Sequence, residues 1–139
     1  MLQHLFFKTI FINQLKQFIM NAIIGLGKYL YAIPFAIFGI FHFMGASDMA
    51  AMAPFGGEIM VYFTGACHLA AAVAILIGKY DKLASVLLAL MLLIFAFAVH
   101  VPAISAENQE MMKVLTNFAL AGGALMYASS MAKDNSIIG

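Results

Sequence analysis

Four stretches free of formal charge constrain this chain more than any other feature. Nineteen such residues lie between Lys28 and Asp48, 20 between Glu58 and Lys79, 24 between Lys82 and Glu107, and 19 between Lys113 and Lys133. At about 1.5 Å of rise per residue, a 19-residue helix covers roughly 28 Å, close to the ~30 Å hydrocarbon thickness of a bilayer. A spanning segment must satisfy its own backbone hydrogen bonds, which leaves helices or a closed barrel. Barrel strands alternate apolar and polar residues, whereas the run from Leu87 to Phe95 is apolar all round. The spacing therefore predicts helices near residues 29–44, 59–77, 83–104 and 114–131.

Composition agrees. Hydrophobic residues make up 65% of the chain and charged residues 9%, against about 25% charged in a soluble domain. The fold class expected is all-α, an antiparallel four-helix bundle in a membrane. Residues 21–133 form its domain, and residues 134–139 form a short polar tail. The turn Gly78-Lys79-Tyr80-Asp81-Lys82 is short and opens on a glycine suited to ending a helix, so the helices on either side are neighbours. The first connection carries Pro54 and Gly56-Gly57; the third follows Pro102 and carries Glu107, Asn108 and Glu110.

Orientation follows from lysine, because there is no arginine. Lys8, Lys16, Lys28, Lys79, Lys82 and Lys133 fall on one side and Lys113 on the other. The positive-inside rule then places both termini in the cytoplasm and Asp48, Glu58, Glu107 and Glu110 outside. A net charge of +1 gives no reason to expect nucleic acid as a partner; the expected partner is the lipid bilayer. Residues 1–20 read as an extension. Its polar residues scatter around the helical wheel, no signal-peptide pattern is present, and Met20 offers a second start; an interfacial helix is the rival reading.

Three histidines are the first candidate site residues, since ionisable groups within a bilayer usually face a bundle interior or a cavity. Counted from the outer helix ends, His42 lies about 3 Å deep, His100 about 7 Å and His68 about 15 Å, depths that argue against one three-histidine metal site. Glu58, Gly65, His68 and Ala72 share a helical face, which is expected to look inward with His68 bonding to Thr116 or Asn117. The alternative for His68 is proton transfer or a quinone-like ligand. His42 and His100 read as interfacial rings at the outer rim. Met44, Met49, Met52, Met60, Met111 and Met112 fall near the same rim. Thioethers with imidazoles suit Cu(I), with Met49 and Met52 the candidate ligands; methionine filling apolar gaps is the plainer reading. Cys67 is the only cysteine, so no internal disulfide forms. No GxSxG, HExxH, CxxC or phosphate-binding loop is present.

Phe38-Gly39-Ile40-Phe41-His42-Phe43, Tyr62-Phe63-Thr64-Gly65, Leu83-Ala84, His100-Val101-Pro102 and Gly122-Gly123 follow one another in an order and spacing that resembles the DoxX family of small four-helix bacterial membrane proteins, over about three quarters of the chain. Where that family often carries an acidic residue after the second-helix glycine, this chain has His68. The resemblance implies a multi-pass protein of the inner membrane, linked to redox chemistry through quinones or through partnership with oxidant-defence oxidoreductases. The family also resembles eukaryotic cargo receptors of the surfeit-locus type, so a non-catalytic binding or assembly subunit is the alternative. A small-solute carrier is the third. No motif names a cofactor; a quinone is what the resemblance implies, with haem the other redox group to test.

Overall fold

The computed structural model describes residues 2–105 and 109–138. Glu107 and Asn108 of the third connection lie outside the described residues. The chain is helical, in the order α1 (Leu2–Gly25), α2 (Gly27–Met44), a short α3 (Ala46–Met49) with a 3₁₀ turn at Ala50–Met52, α4 (Gly57–Ile77), α5 (Asp81–Phe95) and α6 (Glu110–Ser130). Among the described residues three stretches are long and apolar enough to cross a membrane: Phe6–Met44, Gly57–Ile77 and Asp81–His100. Helix α6 is as long as α4 but is not among them, since Glu110, Lys113, Thr116, Asn117, Ser129 and Ser130 make it more polar.

Helices α2, α4, α5 and α6 share one core. Ala32 and Phe35 meet Ala71, Ala72 and Ile75, Leu88, Ala89 and Leu92, and Ala121, Ala124 and Tyr127. Small residues dominate because lipid is as apolar as leucine, so helices associate through close packing and not through expulsion of water. The α2–α4 pair shows this best. A Cβ added at Gly39 would stand 2.8 Å from the Gly65 carbonyl, and one added at Gly65 would stand 2.8 Å from Cβ of His42. On α6 the two adjacent glycines differ: Gly123 lies against the Tyr31 ring, 2.9 Å from where its Cβ would be, and Gly122 faces open space. Tyr31 fastens the same contact by donating its hydroxyl to the Leu120 carbonyl.

The turn between α4 and α5 is built as its glycine suggests. Gly78 takes a left-handed conformation, φ +71°, and the amides of Gly78 and Lys79 return to the Ala74 carbonyl at 2.9 and 3.3 Å. Lys28 reaches across to the Leu76 carbonyl at 3.1 Å. Asp81, fully buried, draws the C-terminal tail onto this turn by accepting the amides of Lys82, Lys133 and Asp134 and the Tyr127 hydroxyl, all within 3.0 Å. Asp134 accepts the Tyr80 amide in return. The Ser136 hydroxyl, then the Tyr80 and Ser136 amides, hold the Asp134 carboxyl down to about 2.

One expectation about a helix end is corrected. The third hydrophobic window is not one helix to residue 104: α5 widens after Phe95 into a π turn, Ala96–His100, where the Val101 amide reaches back five residues to Ala96 at 2.9 Å. Pro102 supplies the reason, since its ring would clash with the carbonyl four residues earlier in a regular helix. At the other end of the chain, α1 runs unbroken through residue 20, and only Leu26 separates it from α2. Leu26 keeps right-handed helical angles, and its carbonyl accepts from Tyr29 and Leu30. Every side chain described from Phe6 to Leu26 is exposed, so α1 projects from the bundle.

Candidate functional site

The small residues that draw α2 and α4 together also set the site. With Gly65 directly beneath His42, the helices approach until the His42 and His68 rings lie 5.0 Å apart between centroids. His68 is buried, with 2% of its surface exposed. Phe35 stacks on it at 5.9 Å, while Phe38 meets it edge-on at 6.3 Å and Phe95 at a tilt at 6.2 Å. On α5 the π turn carries Val99 and His100 round to the same region, a local feature that is frequent at functional sites.

Together these elements enclose a cavity of about 390 Å³ at the α3 end of the bundle, within the usual range for small-molecule sites. Its walls are largely apolar, from Phe38, Val61, Leu92, Phe95, Val99 and Leu120. Polar groups come from α2, α4, α6 and the π turn after α5: His42 on α2, Thr64 and His68 on α4, His100 from the π turn, and Lys113, Thr116 and Asn117 on α6. Met49, Met52 and Met60 border the same space.

The three imidazoles share one design. His42 Nδ1 pairs with the Phe38 carbonyl at 2.7 Å and His68 Nδ1 with the Thr64 carbonyl at 2.9 Å, each four residues back. A carbonyl only accepts, so Nδ1 carries the proton and Nε2 of the neutral ring is an acceptor. His100 Nδ1 donates to Glu110 at 2.7 Å, and Glu110 also accepts from Lys113. In every case Nε2 is the atom left for a ligand.

Placement of the sequence candidates is mixed. His42, His68, His100, Asn117, Met49 and Met52 all line the one cavity, so histidines at unequal depths meet because the cavity itself runs inward from the rim. Glu58 is not part of it. Gly65, His68 and Ala72 are buried as their shared face implies, but Glu58 is exposed in the first turn of α4. The expected bond from His68 to Thr116 or Asn117 is replaced by the Thr64 carbonyl, and those two side chains bond to the Met112 and Lys113 carbonyls of their own helix. His42 and His100 are half-buried cavity residues. Met44, Met111 and Met112 are exposed and do not border this cavity. Sequence reading missed the His100–Glu110 pair, which crosses a connection with no periodic signal, and the aromatic cage of His68. Among the described residues no group of three His, Cys, Asp or Glu side chains could hold a metal ion.

No family model, curated protein or solved structure matches this chain.

Proposed function

We propose that this chain is a redox-linked membrane component of the DoxX type, with α6 as its fourth crossing, and that its cavity receives a quinone-type ring. The observation that carries this reading is the meeting of three Nε2 acceptors around an apolar cavity of small-molecule size. A quinol offers two hydroxyl donors on a flat apolar ring. Nε2 of His68 is suited to accept one of them, while Phe38 and Phe95 supply apolar and ring contact. Lys113 and Asn117 are donors for a carbonyl oxygen at the far side. Lysine distribution supports an inner-membrane topology with both termini cytoplasmic and the cavity mouth outside. An oxidoreductase partner is part of the same reading.

The decisive variant is His68→Phe, which keeps a ring for Phe35 to stack on and removes both nitrogens. Binding of a short-chain quinol to protein purified in detergent should weaken about tenfold, the loss of roughly 1.4 kcal/mol of hydrogen bonding, with the melting temperature retained. Equal affinity in the variant would remove His68 from ligand binding and with it this reading of the cavity.

A second reading has its own observation. Helix α1 stands outside the bundle with Phe6, Phe7, Phe11, Leu15, Phe18 and Ile23 exposed, a surface that fits an assembly subunit of a membrane complex. Co-purification with and without residues 2–19 separates the two.

A further inference from the structure

The thioethers at the α3 end play no part in the reading above. Met49 ends α3, Met52 ends the 3₁₀ turn and Met60 lies in the first turn of α4; all three border the cavity that His42 and His68 line. Both rings have Nδ1 tied to a carbonyl of their own helix. That outer hydrogen bond is the arrangement found around metal-ligating histidines, because it fixes the tautomer and the ring orientation and leaves the Nε2 lone pair for the metal. We propose that Nε2 of His42 and His68 and the thioethers of Met49 and Met52 form a binding site for a soft monovalent cation, Cu(I).

The donor set selects the ion. Zinc takes three or four ligands from Cys, His, Asp and Glu, and among the described residues no three such side chains come close enough together to hold one ion. Magnesium and calcium require oxygen ligands, and neither Asp48 nor Glu58 borders the cavity. Two imidazoles with thioethers match Cu(I). The plainer role for these methionines is to fill apolar gaps in a core. Met52, however, is 53% exposed, and Met49 folds back against Gly45 at the rim. Both therefore stand at the mouth of the cavity, where the short α3 and 3₁₀ turn present two unbranched side chains three residues apart.

The site shares His68 with the quinone reading but rests on the sulfurs, and its test contains no quinone. Full-length protein in detergent, freed of quinone and kept anaerobic, is titrated with Cu(I) against the chelator bathocuproine disulfonate, and the bound copper is examined by X-ray absorption. One Cu(I) per chain with both sulfur and nitrogen ligands is expected. The double variant Met49→Leu, Met52→Leu, which conserves side-chain volume, should weaken retention at least tenfold, as should His42→Gln. Met126→Leu, exposed on α6 and outside the cavity, should match wild type. Undiminished retention in the double variant, copper without sulfur ligands, or displacement by tenfold excess Zn(II) would each overturn the proposal. Because quinol binding is measured separately, either reading can fail while the other stands.

Discussion

Asp81 shows what one residue does for one end of this bundle. A carboxylate with no exposed surface is costly unless its oxygens are occupied, and here three backbone amides and the Tyr127 hydroxyl occupy them. The charge thereby becomes a clasp that holds residues 133 and 134 against the turn between α4 and α5. Asp81→Asn replaces one oxygen with an NH₂ group that faces donors. The expected cost is about 1–3 kcal/mol for the donor left unpaired, seen as a lower melting temperature and faster proteolysis of the tail. An unchanged melting temperature and an intact tail would show that the clasp contributes nothing. In the sequence Asp81 is one polar residue in a polar turn, and its role is invisible there because every partner but the adjacent Lys82 amide lies 46 to 53 positions away.

At the scale of elements, the spacing between helices is set by which glycines face a neighbour. Gly65 and Gly123 are closely covered and Gly122 is not. Gly65→Ala should push α2 from α4 and cost about 1–3 kcal/mol, as overpacking does, and it should weaken ligand binding because it separates His42 from His68. Gly123→Ala should act likewise against Tyr31. Gly122→Ala should be neutral or stabilising by up to about 1 kcal/mol, since alanine is the better helix former. Thermal unfolding of the three variants in one detergent checks the ranking, and equal effects at Gly122 and Gly123 would refute it. The adjacent glycine pair is plain in the sequence; which member touches a ring depends on the rotation of α6 about its axis.

For the whole molecule, the cavity's exposure to one side of the membrane matters more than its shape. Six of seven lysines lie at or beyond the end opposite the cavity, so Ser47 should face outward and Ser136 the cytoplasm. In a Cys67→Ala background, Ser47→Cys should react with an impermeant thiol reagent on intact cells and Ser136→Cys should not. Both positions are exposed, so the reverse pattern would invert the topology and turn the cavity toward the cytoplasm.

Charge placement, with the absence of apolar-polar alternation, was enough to read this chain as helical, and three of its helical stretches are long and apolar enough to cross a membrane. The backbone in hydrocarbon has no other partner than itself, which leaves a helix or a closed barrel, and a long uncharged run without polar alternation is expected to be a helix. His42, His68 and His100 stood out for the same reason, as groups that are costly in that solvent. Sequence spacing measures depth along a helix but not the rotation or lateral approach of helices. Those were decided in the tertiary structure, by Gly39 and Gly65 closing α2 on α4 and by the π turn before Pro102 swinging His100 round. For that reason three histidines at different depths border one cavity, while Glu58, on the same helical face as His68, remains outside it.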